Sequence, residues 1–343
     1  MKAVRIHEHG GVDKLRYEEV EDPKLTEATD VIVQLKAAAL NHIDIWNRRG
    51  LTGIEISLPH ILGADGAGIV VEVGEQVNNV KRDDAVCLYP PTGCGRCDLC
   101  MTDRDFMCLH LRALGERLEG TYAEYVKLPA KNCFSIPPGL SFEEAAAFPL
   151  VFLTVWRMLV TNAEIKPGEH VLILGIGGGV ASAALQVAKH MGTHVMVTSS
   201  SDEKLEMAKN WGADHGINYL KSDFAREVRA LTGKRGVDVV VDSVGGESWA
   251  KSLASLTKGG RLVTCGATAG ANPPTHIPRI FWNHLKIFGS TLGSREEFRQ
   301  ILNFMRTSQV RPIIDQLFPL KEVAQAHRRL EEGKQFGKIG LQI

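Results

Sequence analysis

Cys94, Cys97, Cys100 and Cys108 form a C-x2-C-x2-C-x7-C array. Thiolates spaced two residues apart on a tight loop converge on one ion, and four of them complete a closed tetrahedral zinc site. A closed shell leaves no position for water or substrate, so the metal is expected to be structural. Iron–sulfur ligation by four cysteines is the chemical rival. The lack of a Cys-Pro ending, and the dinucleotide-type turn described next, favour zinc. Four of the seven cysteines lie within 15 consecutive positions, which argues against a set of unrelated buried thiols.

A second segment with chemistry in it is Gly175-Ile-Gly177-Gly178-Gly179-Val180-Ala181, which follows the apolar run His170–Leu174. Glycines here permit a tight turn and close approach of backbone to a pyrophosphate seated at a helix N-terminus. Ala181 takes the place of a third spaced glycine, and a small residue suffices there for helix–strand packing. Cofactor choice turns on the end of the next strand, Val197-Thr198-Ser199-Ser200-Ser201. NAD enzymes use a carboxylate about 20 residues after the glycines to hold the ribose hydroxyls. No acid occurs here before Asp202, and hydroxyls with Lys204 suit a 2′-phosphate, so NADP is expected and NAD remains open. The serines could equally cap the helix that starts near Asp202.

These segments need elements to position them. Between Lys166 and Gly289 the pattern alternates: strand His170–Leu174, helix Ala181–Met191, strand His194–Thr198, helices Asp202–Trp211 and Phe224–Thr232, strand Val237–Asp242, helix Ser248–Leu256, strand Arg261–Cys265. Continuous apolar strands joined by helices mean a doubly wound parallel α/β sheet, the Rossmann architecture. The first 150 residues are instead β-rich and irregular, with short-strand composition at Val31–Leu35, Gly68–Val73 and Tyr122–Val126. Ser141 with Glu144 three residues on opens a helix by a capping box. Lys321–Glu332 predicts a last helix and Lys338–Ile343 a last strand.

Composition narrows the function classes. The chain has 343 residues, 40 Lys+Arg against 40 Asp+Glu, 44% hydrophobic and 23% charged residues. That length predicts two domains, and zero net charge leaves no basic excess to neutralise phosphates, so nucleic acid is not an expected partner. The charged start Met1–Glu8 lacks the apolar core of a signal peptide. Val171–Ala188 is an uncharged run of 18 residues, yet its four glycines, Ser182 and Gln186 fit a strand–turn–helix better than a membrane span. An odd cysteine count precludes a fully paired disulfide framework, and a reduced, cytoplasmic protein is expected.

Together these features resemble the medium-chain dehydrogenase/reductase superfamily over essentially the whole chain. The carrying residues are Leu62-Gly63-Ala64-Asp65-Gly66-Ala67-Gly68-Ile69-Val70, the cysteine lobe, Gly120–Tyr125, Gly175–Val180, Gly212-Ala213-Asp214-His215 with Asn218-Tyr219, and Gly337-Lys338. The resemblance implies a GroES-like catalytic domain over 1–150 and 291–343, with the zinc lobe at 94–108, and a Rossmann domain over 151–290. Zinc alcohol dehydrogenases of this family take catalytic ligands from a Cys, a Gly-His-Glu and a later Cys. Those ligand positions here read Asn41, Ala64 and Leu150, and Ile43 replaces the Ser/Thr of the proton relay.

Without a Lewis acid, abstracting hydride from an alcohol is difficult, while donating it to an activated acceptor stays feasible. Asn41-x-x-Asp44, Arg48, Gly50 and Pro149-Leu150 resemble the quinone oxidoreductase branch, whose members reduce quinones or conjugated enones. Asn41 is the expected hydrogen-bond donor to a substrate carbonyl, or alternatively a turn residue; Asp44 would orient it or the loop carrying Arg48, or is purely structural. Trp46 lines the pocket or belongs to the core. The resemblance places His42 and Lys338 near the cofactor pyrophosphate, with a solvated surface residue as the ordinary alternative. It sets Lys204 and Tyr219 at the adenosine phosphate and Thr154 beside the nicotinamide. Gly266-Ala267-Thr268 follows a strand end where the cofactor should pass.

The expected function is NADPH-dependent reduction of a quinone, enone or enal, with one structural zinc. The alternatives are an alcohol dehydrogenase with a remodelled metal site drawn from His42, Asp44, His60 or Asp65, and a dinucleotide-binding protein without turnover. A homodimer or homotetramer is expected. Ile277–Phe288, with Phe281 and Trp282, would be its assembly surface, or else a buried strand between domains.

Overall fold

Strands that are apolar on both faces must be covered on both faces, and residues 166–289 meet that demand with a six-stranded parallel sheet. The computed structural model describes residues 1–51 and 53–343 of the chain. Its spatial strand order is His215–Asn218, His194–Ser199, His170–Ile173, Val237–Asp242, Leu256–Thr264, Lys286–Gly289. Every residue of Val237–Asp242 is buried, as a central strand requires. In chain order the sequence is 3-2-1-4-5-6, the doubly wound arrangement with its switch point at the end of His170–Ile173. Val171–Ala188 is therefore strand, glycine turn and helix Gly179–His190. Among the described residues no helix is long and apolar enough to cross a membrane.

Two expectations in this region need correction. The fifth strand begins at Leu256 rather than Arg261, directly after helix Ser248–Ser255. Gly236, at φ +93°, lets the backbone of Ser255 and Leu256 pass where a side chain would collide, so the chain enters the sheet early. The segment Ile277–Phe288 is not a buried strand. It is a short helix, Ile277–Trp282, followed by the sheet's edge strand, with Ile277, Phe281 and Trp282 exposed to 59%, 60% and 74%.

Packing divides the chain into this unit, Thr154–Gly293, and a second formed by Met1–Leu153 with Ser294–Ile343. The second unit is built on a seven-stranded sheet. Its main path runs Cys133–Ser135, Ala85–Leu88, Asp65–Val73, Asp30–Ala39, Lys338–Gln342, Ile314–Pro319, and Tyr125–Pro129 also pairs with Asp30–Ala39. Lys2–Ile6 anchors a smaller three-stranded sheet. The strand expected at Tyr122–Val126 starts only at Tyr125. Before it, Tyr122 hydrogen-bonds Leu62 on one side and Val4 on the other, so the chain bridges two neighbours instead of running in one ladder. The last helix is Val323–Glu331, entered through a 3-10 turn at Leu320–Glu322.

Register decides what this sheet can do. Ala39 pairs with Asp65 on one neighbour and with Gly340 on the other, both antiparallel. The end of the Asp30–Ala39 strand thus lies beside the start of both partners. Asn41, Asp65 and Lys338, remote in sequence, are delivered to one end of one sheet.

Candidate active site and metal centre

The cysteine lobe is held by local geometry. Cys97 caps the short helix Asp98–Met101 that carries Cys100, and Cys108 follows the 3-10 turn Asp105–Met107. Gly93 is required, because a side chain there would reach within 2.7 Å of the Cys100 sulfur. The four sulfurs lie within 4.8 Å of one another, with Cys94–Cys100 at 3.9 Å and Cys97–Cys108 at 3.8 Å. A tetrahedron with zinc–sulfur bonds of about 2.3 Å has edges of about 3.8 Å, so these residues fit a zinc ion as they stand. Backbone N–H groups of Arg96 and Cys97 lower the Cys94 pKa, while burial raises that of its neighbour Cys100.

The glycine turn is also built as expected. Gly175 (φ +66°) and Gly177 (φ +119°) adopt backbone conformations that side chains resist, and Gly178 caps the helix Gly179–His190. Thr198 pins the turn: its hydroxyl accepts from Gly175 N at 3.2 Å and its carbonyl from Ile176 N at 2.8 Å. Val180 lies in the first turn of a helix that opens on the glycine turn, and a helix N-terminus without side chains around it fits a dinucleotide pyrophosphate. Across the switch point Asp242 folds the loop Ser243–Gly246 by accepting from Val244 N and Gly245 N. Gly266, Ala267 and Thr268 pack on that loop, and the Thr268 hydroxyl donates to Ser243 O at 3.2 Å. Sequence reasoning missed Thr198 and Asp242, although an acid closing a valine run was a visible signal.

At the second strand's end the first acid is indeed Asp202, and its carboxylate is engaged by Asn218 and Lys221. Ser201 is the helix cap, accepting from Lys204 N at 3.3 Å, and the buried Ser199 hydroxyl accepts from Ser201 N. Ser200 and Tyr219 are exposed, while Lys204 is half-buried. Thr154 is buried on the helix Pro149–Trp156.

Two of the remaining candidates, Asn41 and Lys338, converge on Asp65. Its Oδ2 accepts from Asn41 Nδ2 at 2.9 Å and from Lys338 Nζ at 3.0 Å; its Oδ1 accepts from Leu150 N at 2.9 Å. Lys338 Nζ also donates to Asn41 Oδ1 at 2.6 Å. Asn41, Asp65 and Lys338 are only 5%, 0% and 3% exposed, so the solvated-lysine alternative is overturned. A buried carboxylate with three donors and a cationic partner meets the usual condition for burial of charge.

Asn41 also precedes helix His42–Arg49, where Asp44 Oδ2 accepts from its backbone N–H at 2.8 Å and from the Tyr122 hydroxyl at 2.8 Å. The other Asp44 oxygen is buried without a partner. Burial pushes this carboxyl up to about 7, against the hydrogen bonds from Asn41 and Tyr122. His42 and Trp46 pack edge-on at 5.0 Å on the less buried face of the helix, and burial with nearby Arg49 lowers the His42 pKa. On the buried face Arg48 reaches Gly10 O, His327 and Glu331. Burial, with the Arg48 guanidinium, takes His327 down to about 3.

Asn41, Ala64 and Leu150 are thus neighbours through Asp65, yet they offer an amide, a methyl and an isobutyl group, with an ammonium among them. That donor set does not fit a zinc ion. Among the described residues only the four cysteines group as metal ligands, and His42, Asp44, His60 and Asp65 do not.

Comparison with known proteins agrees with this architecture. Residues 27–138 match the alcohol dehydrogenase GroES-like domain, and residues 179–307 match the zinc-binding dehydrogenase family. A zinc-type alcohol dehydrogenase-like protein of Schizosaccharomyces pombe is 36% identical, covering 98% of each chain. A quinone oxidoreductase of Homo sapiens is 26% identical, over 100% of this chain and 97% of its own. A crystal structure of an NAD-dependent alcohol dehydrogenase is similar with a TM-score of 0.96, 42% identity and full coverage of both chains.

Proposed function

The chain belongs to the medium-chain dehydrogenase/reductase superfamily and is an NAD(P)H-dependent oxidoreductase, and from that premise we propose that it reduces a quinone or a conjugated enone or enal with NADPH and without a catalytic metal. The observation that carries this reading is the content of the Asp65 cluster: positions 41, 64 and 150 hold Asn, Ala and Leu, with no thiolate or imidazole, and the Lys338 ammonium is buried against Asn41 and Asp65. An alcohol hydroxyl placed there would meet no metal ion to lower its pKa toward neutrality, whereas a conjugated carbonyl needs only a hydride and a hydrogen-bond donor.

NADPH, when bound, supplies the hydride. With that cofactor bound, the hydride would go to the β-carbon of an enone and negative charge would build on the carbonyl oxygen, to which the Asn41 Nδ2–H not committed to Asp65 donates. A solvent proton then completes the saturated ketone, so one hydride and one proton are consumed per NADPH oxidised. A quinone takes the same two equivalents to a hydroquinone. Ser200, Lys204 and Tyr219 hold the adenosine 2′-phosphate, supported by hydroxyls in place of an acid at Ser199–Ser201 and by the engagement of the Asp202 carboxylate with Asn218 and Lys221. Trp46 lines the substrate side of the helix that starts at His42, and Cys94, Cys97, Cys100 and Cys108 hold one structural zinc, in a compartment reducing enough to keep thiols free. The exposed Ile277, Phe281 and Trp282 beside an unpaired edge strand make the assembly surface of a homo-oligomer.

The alcohol dehydrogenase reading draws on the relatives' names, which are mostly of that kind. One experiment separates the two. Zinc per chain is measured in protein grown with ample zinc, alongside NADPH oxidation by enones and quinones and NADP⁺ reduction by alcohols, before and after chelation. One zinc, with reductase activity, supports the proposal. Two zincs, with chelator-sensitive alcohol oxidation, would overturn it.

A further inference from the structure

Lys338 enters the site by a route that its sequence neighbourhood does not suggest. It begins the strand Lys338–Gln342, and its ammonium is buried between Asn41 Oδ1 at 2.6 Å and Asp65 Oδ2 at 3.0 Å. An ammonium can only donate and a carboxylate can only accept. Between them the Asn41 carboxamide has one allowed orientation: oxygen to Lys338, nitrogen to Asp65. Flipping it would set NH2 against NH3⁺ and C=O against COO⁻. Leu150 N fixes the other oxygen of Asp65, so the carboxylate cannot rotate to follow.

We propose that Lys338 is a positioning residue of the catalytic site: with Asp65 it locks the Asn41 carboxamide so that one Nδ2–H is held by Asp65 and the second is presented as a fixed donor to the substrate oxygen. This role rests on the proposed reduction for its consequence but not for its geometry. It differs from a pyrophosphate contact, because the ammonium is 3% exposed and already bound on two sides. A donor oriented before substrate arrives costs no reorganisation as negative charge builds on the carbonyl oxygen.

Three measurements test it. In wild-type protein labelled with ¹⁵N-asparagine, the Asn41 side-chain proton bound to Asp65 should exchange with solvent much more slowly than its geminal partner; two protons exchanging alike, as in a freely rotating exposed asparagine, overturn the proposal outright, whatever the substrate. Lys338→Met leaves Asp65 unpaired, so the charge-balanced Lys338→Met/Asp65→Asn variant accompanies it, with thermal unfolding followed for both. In the folded variants kcat should fall about 10- to 100-fold, the scale of a misplaced catalytic contact, with the NADPH KM nearly unchanged. Lys338→Arg, which keeps a cation, should recover most of kcat. A large rise in NADPH KM at constant kcat would instead assign Lys338 to the cofactor and overturn the positioning role. Wild-type enzyme that turns over only alcohols would remove the proposed reaction while leaving the exchange measurement to judge the lock.

Discussion

The cysteine lobe takes all four sulfurs from residues 94–108, whereas the Asp65 cluster joins Asn41 to a lysine 297 positions away. Both gather negative or electron-rich groups around a centre that needs positive charge. The lobe leaves that charge to an ion from solution: four sulfurs within 4.8 Å repel one another once ionised. The cluster carries its own cation in Lys338, and the register of three strands delivers it. One site is therefore a property of a loop and a metal, the other a property of a finished sheet.

The largest effect should come from breaking the lobe. Cys100→Ser is expected to lose the single zinc and open the 94–108 loop to proteolysis. Structural zinc sites in isolated finger peptides bind with about 10 kcal/mol or more, so losing a ligand is not a small perturbation. Elemental analysis with limited trypsin digestion reads this, and a full zinc equivalent retained in the variant would break the assignment of Cys100 as a ligand.

The two regions should also respond to pH with opposite signs. Acid protonates thiolates and releases zinc from the lobe. In the cluster, burial raises Asp44 from its ordinary 3.8 to about 7. The folded chain keeps that proton where the unfolded chain has released it. The stabilisation is complete below about pH 4, declines as pH rises, and is gone above about 7. Asp44→Asn removes this dependence. Denaturant unfolding should show wild type losing on the order of 2 kcal/mol more than the variant between about pH 5 and about pH 8. Parallel curves would mean that Asp44 is ionised in the folded protein.

A smaller test sharpens the same point. Tyr122→Phe deletes the hydroxyl that donates to Asp44 at 2.8 Å. Stability should fall by about 1 kcal/mol, as for one neutral donor to a carboxyl group. Because that hydrogen bond favours the ionised form, its loss should move the Asp44 transition to higher pH. An unchanged transition would show that Tyr122 is a packing residue only.

Much of this was legible in one dimension because the relevant physics is local. The cysteine spacing, the glycine turn after a buried strand and the Ser141–Glu144 capping box each depend on neighbours within a few residues, and each formed. The same kind of signal at Ser294 and Glu297, which caps helix Arg295–Thr307, was equally readable and was passed over. Tyr122 read as a strand residue and became a hydroxyl donor to Asp44, because its backbone is shared between Leu62 and Val4. His327, in a polar helix, gave no sign that it would be fully buried against Arg48.

By itself the sequence determined the superfamily, the four-cysteine lobe, the glycine turn and the residue types at positions 41, 64 and 150, since each is written in residue types at short spacing. Only the tertiary structure decided that Lys338 is an internal cation, that Asp65 is its counter-charge and that the Asn41 amide has a single orientation. The reason is the pairing of Ala39 with both Asp65 and Gly340: strand register is a long-range choice, and it alone brings residues 41, 65 and 338 within hydrogen-bonding distance.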